Sequence, residues 1–377
     1  MIAAWAALAL ASAHAAASTP SDRVIRIGII PDAERVAFVC AGRCGVSDAR
    51  GRRYALVPGR EYALEPAANA IRLGSLTLPT EARISPGTAS GAVLIAGRRY
   101  PGSIIARLTP AGGLSVIDEL LVEDYLLGVL PREMDPGWPL EALKAQAVVA
   151  RTFAYTQAGK YRRDGYDLSS DTRSQMFVGL GSEGERIRRA VRETRGEVLG
   201  YKGKILNVYY HACCGGHTES ASAVWGPGEW APPPLRGVRD RYCRSTPLAR
   251  WTAYFPYEEV LAALSQDRLI AGVIRRFAIN RRTAAGYARD FAVAVGSEYL
   301  RVKAGEFRKL IGNSDLKSIR IERVLRRSGG IEFVGSGSGH GVGLCQWGAK
   351  IQADRGRGYE QILRFYFPGS TLSVIDE

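Results

Sequence analysis

Short apolar runs separated by turn signals fill the first third of the chain. Between residues 24 and 116, runs rich in β-branched residues alternate with Pro-Asp, Gly-Arg, Pro-Gly and Gly-Gly pairs, a pattern typical of strands joined by tight turns. The strands that this pattern predicts are Val24–Ile30, Val36–Cys40, Tyr54–Val57, Ile71–Leu78, Ala92–Ile95 and Ile104–Leu108. We therefore expect a small β domain over residues 18–113, with a scaffolding or binding role.

After residue 113 the apolar spacing changes to a helical period. Pro131 is expected to end the first helix, and Pro139 suits the first turn of the second. Strands and helices interleave without a regular βαβ rhythm, so the predicted fold class is α+β, with the β domain followed by a mixed α+β core over residues 114–377. The predicted helices are Leu120–Val129, Pro136–Tyr161, Glu183–Arg195, Tyr257–Ser265, Lys303–Ile311, Leu344–Asp354 and Tyr359–Tyr366, with a hairpin around Lys202 and Gly203.

Composition and charge narrow the class of protein. Of the 377 residues 46% are hydrophobic, which is enough for buried cores in about two domains. Lys and Arg outnumber Asp and Glu by 51 to 37, which gives a formal net charge of +14. This excess of positive charge favours an anionic partner such as nucleic acid, a membrane surface or an acidic polymer. The alternative is a generally basic surface without such a partner, and it explains the charge equally well.

The first residues have the character of an export signal. Residues 1–17 form a short apolar run that ends in Ala-His-Ala and Ala-Ala-Ala, both compatible with signal-peptidase cleavage. The run is too short to span a bilayer, and no later segment is apolar enough to be transmembrane. We therefore predict a signal peptide at residues 1–17 and a periplasmic or extracellular protein. In that compartment Cys40 and Cys44 can close a disulfide, with two free thiols as the alternative.

One carboxylate stands in a stiff segment between the first two predicted helices. Glu133 lies in the run Pro131–Pro139, which contains three prolines and Trp138. A carboxyl group held in a rigid, partly apolar loop can have a raised pKa and act as a general acid. The alternative is that Glu133 caps a helix or pairs with Arg132, and spacing alone favours that alternative.

Two cations follow on the next predicted helix. Lys144 and Arg151 are seven residues apart and therefore project from one face. They can bind anionic groups of a substrate. Solvated basic residues are the alternative, which the helical pattern alone favours.

A cluster of histidines and cysteines has the ligand types of a tetrahedral zinc site. The run from His211 to His217 contains Cys213 and Cys214, and Cys243 follows at a distance. Cys and His ligands alone favour a closed structural site, although the spacing is not that of a standard zinc finger. A disulfide from one of the adjacent cysteines to Cys243 is the alternative in an exported protein. Adjacent cysteines seldom both bind one metal, so one of them is expected to lie outside the site.

A glycine-rich run between Gly335 and Ala349 surrounds His340, one of four histidines in the chain. So much backbone freedom beside an imidazole indicates a close approach to a ligand or to another backbone segment. The run is not a P-loop, because no Gly-Lys-Ser/Thr follows, and it leads directly into a predicted helix, which disfavours a linker. A functional role is slightly favoured over a histidine that merely bonds a backbone carbonyl.

Taken together, these blocks resemble the stage II sporulation protein D family, peptidoglycan lytic transglycosylases related to an amidase enhancer. The resemblance spans roughly residues 114–372 in the family's order, and the mild departures are Leu344, Cys345 and Trp347, where Met, Ser and Tyr are more common. The matching blocks are Val122–Leu126, Val129–Met134, Trp138–Ala147, Ala150–Thr152, Asp171–Gln175, His211–Thr218 and Gly339–Ala349.

The resemblance implies cleavage of the MurNAc–GlcNAc bond of glycan strands, preferably strands without stem peptides, to give a 1,6-anhydro sugar without water. It implies that Glu133 is the catalytic acid and base. One carboxyl can protonate the leaving oxygen and then accept the proton of the sugar's own C6 hydroxyl, so no second carboxylate is needed. The residues that match the family's substrate groove are Lys144, Arg151, Gln175, His340 and Gln346.

The resemblance also implies a structural zinc, because some members bind zinc through the block that begins at His211. Cys213 is expected not to be a ligand. The implied partners are peptidoglycan glycan strands and a cell-wall amidase rather than nucleic acid. Two alternatives stay open, a noncatalytic wall-binding protein that stimulates an amidase and a zinc hydrolase that uses the His211 block with His340. The best-matching zinc ligands are His211, Cys214, His217 and Cys243.

Overall fold

The computed structural model describes residues 23–88, 91–181, 183–226, 231–265, 270 and 272–375. The signal peptide predicted at residues 1–17 lies outside these ranges. Within them, no helix is both long enough and apolar enough to cross a membrane. The predicted α+β class is confirmed, since antiparallel sheets in the N-terminal part are followed by helices and further sheets.

Two sheets form the N-terminal part. One has the strand order β10-β9-β2-β5-β6-β7, and the other contains the run β1-β12-β11-β8-β3-β4. A disulfide joins Cys40 of β2 to Cys44 of β3 and so links the two sheets. The strands are β1 (Val24–Ile30), β2 (Val36–Ala41), β3 (Cys44–Asp48), β4 (Arg53–Leu56), β5 (Glu61–Ala67), β6 (Ala70–Leu73), β7 (Leu76–Leu78), β8 (Glu81–Pro86), β9 (Ala92–Ile95), β10 (Arg98–Tyr100), β11 (Ser103–Leu108) and β12 (Leu114–Leu121).

The strand predictions succeed where β-branched residues are dense. The predicted strands Val24–Ile30 and Ala92–Ile95 are confirmed residue for residue. The strand predicted over Ile71–Leu78 is wrong in one respect, because a turn at Gly74, with φ of 59°, divides it into β6 and β7. Strands such as β5 were not predicted, because the run Glu61–Ala67 mixes charges and a proline with few β-branched residues.

Helices and short sheets alternate in the rest of the chain. All seven predicted helices are present within four residues of their predicted ends, whereas α4 was not predicted. The elements are α1 (Val122–Glu133), α2 (Leu140–Gln157), β13 (Leu168–Ser169), α3 (Glu185–Glu193), β14 (Glu197–Tyr201), β15 (Lys204–Ile205), β16 (Tyr210–His211), α4 (Ala221–Trp225), β17 (Trp251–Pro256), α5 (Tyr257–Leu264), β18 (Ile274–Arg282), β19 (Ala288–Val295), β20 (Glu298–Lys303), α6 (Ala304–Ile311), β21 (Ile321–Arg327), β22 (Gly330–Gly335), β23 (Leu344–Cys345), α7 (Gln346–Asp354), α8 (Tyr359–Tyr366) and β24 (Thr371–Val374).

The first helix does not end at Pro131, contrary to the prediction. α1 continues to Glu133, and the Met134 N–H closes it by donating to the Leu130 carbonyl. A proline removes one backbone hydrogen bond and crowds the preceding turn, but near a helix end this cost is outweighed by the burial of neighbours such as Leu130. Glu133 is consequently the last residue of a helix rather than part of a loop.

The N-terminal sheets and the helices share one core. β1 pairs with β12 on one side and in parallel with β13, a strand that follows α2, on the other. The buried side chains of β1, among them Ile25 and Ile27, belong to the same apolar cluster as Leu143 and Val148 of α2. The boundary predicted at residue 113 falls in the turn between β11 and β12, and the sheet continues across it.

A second apolar core lies in residues 251–335, which we call the insert because the first core includes residues on both sides of it. The insert contains the sheets β17-β22-β21 and β18-β19-β20, together with α5 and α6. Its centre is a group of aromatic rings around Phe333, whose centroid lies 5.5–6.2 Å from those of four neighbours. The sequence predicted only the two helices of this unit.

Replacing Phe333 by alanine should destabilise the insert. Phe333 is fully buried, so Phe333→Ala is expected to lower the free energy of unfolding by about 3–5 kcal/mol through lost contacts and a residual cavity. Urea denaturation measures the change. The control Val273→Ala, at a position that is 69% exposed, should stay within about 0.5 kcal/mol of the wild type. Equal losses in both variants would contradict the assignment of Phe333 to a core.

Candidate active site and candidate metal centre

An open cavity of about 580 Å³ lies beside the C-terminal ends of α1 and α2. It brings Glu133 together with His340, the two residues that sequence patterns singled out in separate parts of the chain. Among the described residues that line the cavity, Glu133 is the one carboxylate. The lining residues are Glu133, Phe153, Gln157, Lys160, Thr172, Arg173, Ser174, Met176, Tyr209, Tyr210, Trp225 and His340.

Glu133 is held by neutral hydrogen-bond donors. Its Oε1 accepts a hydrogen bond from the Met176 N–H at 3.1 Å, and the Tyr210 side chain also bonds the carboxylate. Burial raises the pKa of Glu133, and these two hydrogen bonds oppose the rise without cancelling it. A carboxyl group with a raised pKa on the wall of an open cavity is suited to donating a proton and taking it back.

A chain of buried side chains orients Tyr210. The Tyr125 hydroxyl donates to Gln175 Oε1 at 3.2 Å, and Gln175 Nε2 donates to the Tyr210 hydroxyl at 3.2 Å. Because the Tyr210 oxygen accepts this bond, its own proton is available to Glu133. Burial raises the pKa of both tyrosines well above the ordinary value and keeps them neutral. Gln175, predicted to bind substrate, therefore lies behind Tyr210 and does not line the cavity.

His340 lines the cavity as a neutral imidazole. Its Nδ1 accepts a hydrogen bond from the Val342 N–H at 3.0 Å, and the ring also bonds the backbone of Tyr210. A ring that accepts at Nδ1 carries its proton on Nε2 and can donate it to a carbonyl. Burial, together with the neighbouring His211, lowers the pKa of His340 to about 3, so the ring stays neutral at physiological pH.

The glycine run permits a close approach between backbone segments. Gly337, Gly339, Gly341 and Gly343 all have positive φ, between 74° and 101°, in which other residues are strained. A Cβ atom on Gly343 would collide with the carbonyl of Tyr209. The run therefore lets β23 pair in parallel with β16, which places His340 beside Tyr210.

Three of the predicted substrate-binding residues are engaged outside the cavity. Arg151 is fully buried and forms an ion pair with Glu123 at 2.7 Å, while Lys144 Nζ lies 3.0 and 2.6 Å from carboxylate oxygens of two glutamates. Gln346 Nε2 lies 3.5 Å from Gln146 Oε1 in the core. None of the three belongs to the described lining. The seven-residue spacing showed that Lys144 and Arg151 share a helix face, but not that this face is buried.

Several residues of the cavity were not predicted. Trp225 packs on Tyr209 with a centroid distance of 4.3 Å and lies 5.3 Å from the ring of His340. Lys160 and Arg173 bring positive charge, with Lys160 Nζ donating to the Arg173 carbonyl at 2.6 Å. Arg173 stands in the block that ends at Gln175, so its position beside a matching motif was the available signal.

A second, fully buried group could hold a metal ion. The group consists of four residues, Cys214, Asp240, Cys243 and Cys345. Each offers one possible ligand atom, and these four atoms all lie within 4.8 Å of one another. Backbone N–H groups donate to two of the sulfurs, from Gly216 to Cys214 at 3.4 Å and from Cys214 and Gly348 to Cys345 at 3.3 and 3.4 Å. The Tyr366 hydroxyl donates to Asp240 at 2.8 Å. Such donors stabilise the thiolate and carboxylate forms that bind metals.

The two histidines of the predicted zinc site are not in this group. His211 Nδ1 donates to the Val342 carbonyl at 3.0 Å, and His217 Nδ1 donates to the Thr218 carbonyl at 2.7 Å. The turn at Gly215 and Gly216 carries His217 to a bridge with Arg239 instead of returning it beside His211. The group that could hold a metal therefore shares Cys214 and Cys243 with the predicted ligands and contains Asp240 and Cys345 in addition.

Comparisons with known proteins agree with this arrangement of motifs. Residues 111–201 match the family model described as Stage II sporulation protein. An uncharacterized protein of Brachyspira hyodysenteriae is 36% identical over 262 residues, which are 69% of this chain and 68% of that protein. The chain belongs to the stage II sporulation protein D family. Within this family, the stage II sporulation protein D of Bacillus amyloliquefaciens is 29% identical over 278 residues, 69% of this chain and 76% of that protein.

A longer match is found with the amidase enhancer of Bacillus subtilis. It is 27% identical over 380 residues and covers 87% of this chain, while the chain spans about half (52%) of that relative. The match to the sporulation family model includes α1, α2 and Gln175, and so contains Glu133, but ends before His340. The part of the chain that matches the family model therefore includes the helix that ends at the cavity's carboxylate.

Replacing Glu133 by glutamine should stabilise the protein at neutral pH. At pH values below about 4.5, the ordinary pKa of a glutamate, the Glu133 carboxyl is protonated in both the folded and the unfolded protein. As the pH rises, the carboxyl ionises in the unfolded chain before it ionises in the folded protein, because its pKa is higher in the folded state. The free energy of unfolding of the wild type therefore decreases as the pH rises. An amide cannot ionise, so the free energy of unfolding of Glu133→Gln should exceed that of the wild type at pH 7, with the excess shrinking towards acid. Urea denaturation across this pH range measures the difference.

The exposed Glu34 provides the matched control, since Glu34→Gln at a surface position should leave the unfolding free energy at pH 7 within about 0.5 kcal/mol of the wild type. A Glu133→Gln variant that is less stable than the wild type at pH 7 would contradict the raised pKa.

Proposed function

We propose that this protein is a peptidoglycan lytic transglycosylase that acts outside the cytoplasm, with Glu133 as its acid and base. The observation that carries the proposal is the Glu133 carboxyl group, which has a raised pKa and is bonded by Tyr210 on the wall of an open cavity. Glycosidases that use water or a covalent intermediate need two carboxylates. The described lining contains one, which supports a reaction in which the sugar supplies its own nucleophile.

In the proposed reaction Glu133 first donates a proton and then regains one, so the carboxyl group ends in its starting state. The protonated carboxyl donates to the glycosidic oxygen as its bond to C1 of MurNAc breaks. The resulting carboxylate accepts the proton of the C6 hydroxyl, whose oxygen bonds to C1 and closes the 1,6-anhydro ring. Tyr210 can stabilise the transient carboxylate by donating to it, and the neutral His340 beside it adds no charge.

The charge and aromatic content of the cavity suit a glycan without stem peptides. Removal of the peptide frees the lactyl carboxylate of MurNAc, and Lys160 and Arg173 supply cations near Glu133. Trp225 and Phe153 present apolar ring surface on which sugar rings can pack. Of the groove residues implied by the resemblance, we retain His340 as a contact and Gln175 as a positioning residue, and we assign structural roles to Lys144, Arg151 and Gln346.

Glu133→Gln should strongly slow glycan cleavage while leaving the fold intact. Loss of general acid–base catalysis is expected to slow cleavage of peptide-free glycan strands by a factor of about 10²–10⁴. In the same incubation time, mass spectrometry should detect abundant 1,6-anhydro ends with the wild type and at least about a hundredfold fewer with the variant. Glu34→Gln should cleave normally. Ordinary reducing ends, or unchanged cleavage by Glu133→Gln, would overturn the proposed mechanism.

A noncatalytic amidase enhancer is the second candidate, favoured by the similarity to the amidase enhancer over 87% of this chain. The net charge of +14 would then serve to bind an anionic wall. Equal stimulation of a cell-wall amidase by the wild type and by Glu133→Gln, with no glycan cleavage by either, would select this candidate.

We also propose that Cys214, Asp240, Cys243 and Cys345 bind a structural zinc. Three thiolates and a carboxylate form a tetrahedral donor set suited to zinc, and four protein ligands leave no position for a reactive water. This arrangement supports a structural role over the zinc hydrolase considered from the sequence, because His340 is not among the four residues. Zinc would join three segments that are distant in the chain and so contribute to folding.

The ligand set can be tested by comparing two groups of variants. Asp240→Asn and Cys345→Ser should lower both the zinc content and the thermal midpoint of unfolding, because each removes a ligand. His217→Ala should keep its zinc. Elemental analysis of protein purified without chelators, with a thiol titration, gives the result. Zinc loss in His217→Ala, or metal-free protein with an oxidised Cys214–Cys243 pair, whose sulfurs lie 3.3 Å apart, would contradict the proposal.

A further inference from the structure

The sheet β18-β19-β20 of the insert has one buried and one open face. Alternate residues such as Phe277, Phe291 and Leu300 face the second core and are buried. The intervening residues form the other face, where Arg276, Ala294 and Tyr299 are aligned across the three strands. In the next row, Ala278 and Ala292 are aligned with Arg301. The open face therefore has a floor of alanines between larger polar side chains at its two edges.

This alternation creates a shallow groove of about 270 Å³. Its walls carry two arginines, an asparagine and a tyrosine, and Tyr299 is 80% exposed, more than any other large hydrophobic side chain among the described residues. An aromatic ring held so far out of the protein contributes little to folding, because it removes almost none of its surface from water. The residues that line the groove are Arg276, Asn280, Ala292, Val293, Tyr299, Leu300 and Arg301.

The groove is positively charged. No acidic residue is among its described lining, and Arg276 has no ion-pair partner among the carboxylates that the structure describes. Arg301 lies 3.8 Å from Asp290, but that carboxylate is shared with Arg281 and Asn280. Residues 251–335 contain fifteen lysines and arginines against nine aspartates and glutamates, so the insert supplies a large part of the net charge. The face is therefore complementary to an anion.

We propose that this open face binds the carboxylate-bearing glycan strands of the cell wall, as a second site apart from the Glu133 cavity. The exposed ring of Tyr299 offers an apolar plane for a sugar ring, the guanidinium groups can bind carboxylates through paired hydrogen bonds, and Asn280 can bond hydroxyl groups. Cations flanking an aromatic ring would also suit a nucleic acid, and the choice of a glycan rests on the proposed function. A second site would hold a long polymer near the enzyme and raise its effective concentration at the cavity.

The test compares two triplets of surface substitutions in the full chain carrying Glu133→Gln, so that strands are bound without being cut. The test variant carries Arg276→Gln, Tyr299→Ala and Arg301→Gln. The control carries Tyr254→Ala, Arg323→Gln and Arg327→Gln, at exposed positions of the insert outside the groove. The probes are fluorescent peptide-free glycan strands, the same strands with their carboxyl groups converted to amides, and a single-stranded DNA oligonucleotide.

The groove variant should bind the unmodified strands at least about fivefold more weakly than the control, given the strength of exposed ionic and aromatic contacts. This difference should disappear with the amidated strands. Equal affinities of the two variants for unmodified strands would overturn the inference, as would a difference seen only with DNA. Cleavage by chains without Glu133→Gln is scored separately. If chains with the native Glu133 do not cleave glycan, the proposed function fails while the binding result stands. If those chains cleave glycan but the groove variant binds strands as tightly as the control, only the inference of a second binding site fails.

Discussion

The buried ion pair between Arg151 and Glu123 is the constraint on which the placement of α1 depends. Arg151 donates to both carboxylate oxygens, at 2.7 and 2.8 Å, and also to two backbone carbonyls near the end of α3. The Gly196 N–H donates to the same carboxylate, so α1, α2 and the segment after α3 meet at one point. Loss of either partner would leave a buried charge uncompensated, at a cost of about 3–5 kcal/mol. Since α1 ends at Glu133, the position of the cavity's carboxylate depends on an interaction outside the cavity.

The raised pKa of Glu133 depends on what surrounds it. A cation in contact would favour the ionised carboxylate and lower the pKa. The structure instead gives Glu133 neutral partners, and the nearby cations have other contacts, since Arg173 pairs with Asp171 and Lys160 bonds a carbonyl. The cavity can therefore present positive charge to an anionic sugar without abolishing the proton affinity of its carboxyl group.

Local patterns predicted seven of the eight helices but fewer than half of the strands in the described residues. Tertiary relations decided which predicted roles fit the site. The helix Tyr359–Tyr366 was predicted residue for residue, because its spacing of apolar residues is a local property. Periodicity could not show that Arg151 is buried. Asp240, between two arginines, has the sequence character of a surface residue, and only the fold brings it to the cysteines. In β18, exposed arginines and three register shifts obscure the alternation that would have revealed a strand.

The four-residue cluster and the cavity depend on the same strand pairing. In the parallel pair of β16 and β23, Tyr210 is aligned with Leu344 and His211 with Cys345. Cys345 belongs to the cluster, whereas Tyr210 bonds Glu133. A metal held by Cys345 would fix β23 and through it the strand that carries Tyr210, without touching a sugar. His211, although not in the cluster, contributes to the same junction by donating to the Val342 carbonyl. A bound metal and the bond from His211 would together hold in place the tyrosine that bonds the Glu133 carboxyl group.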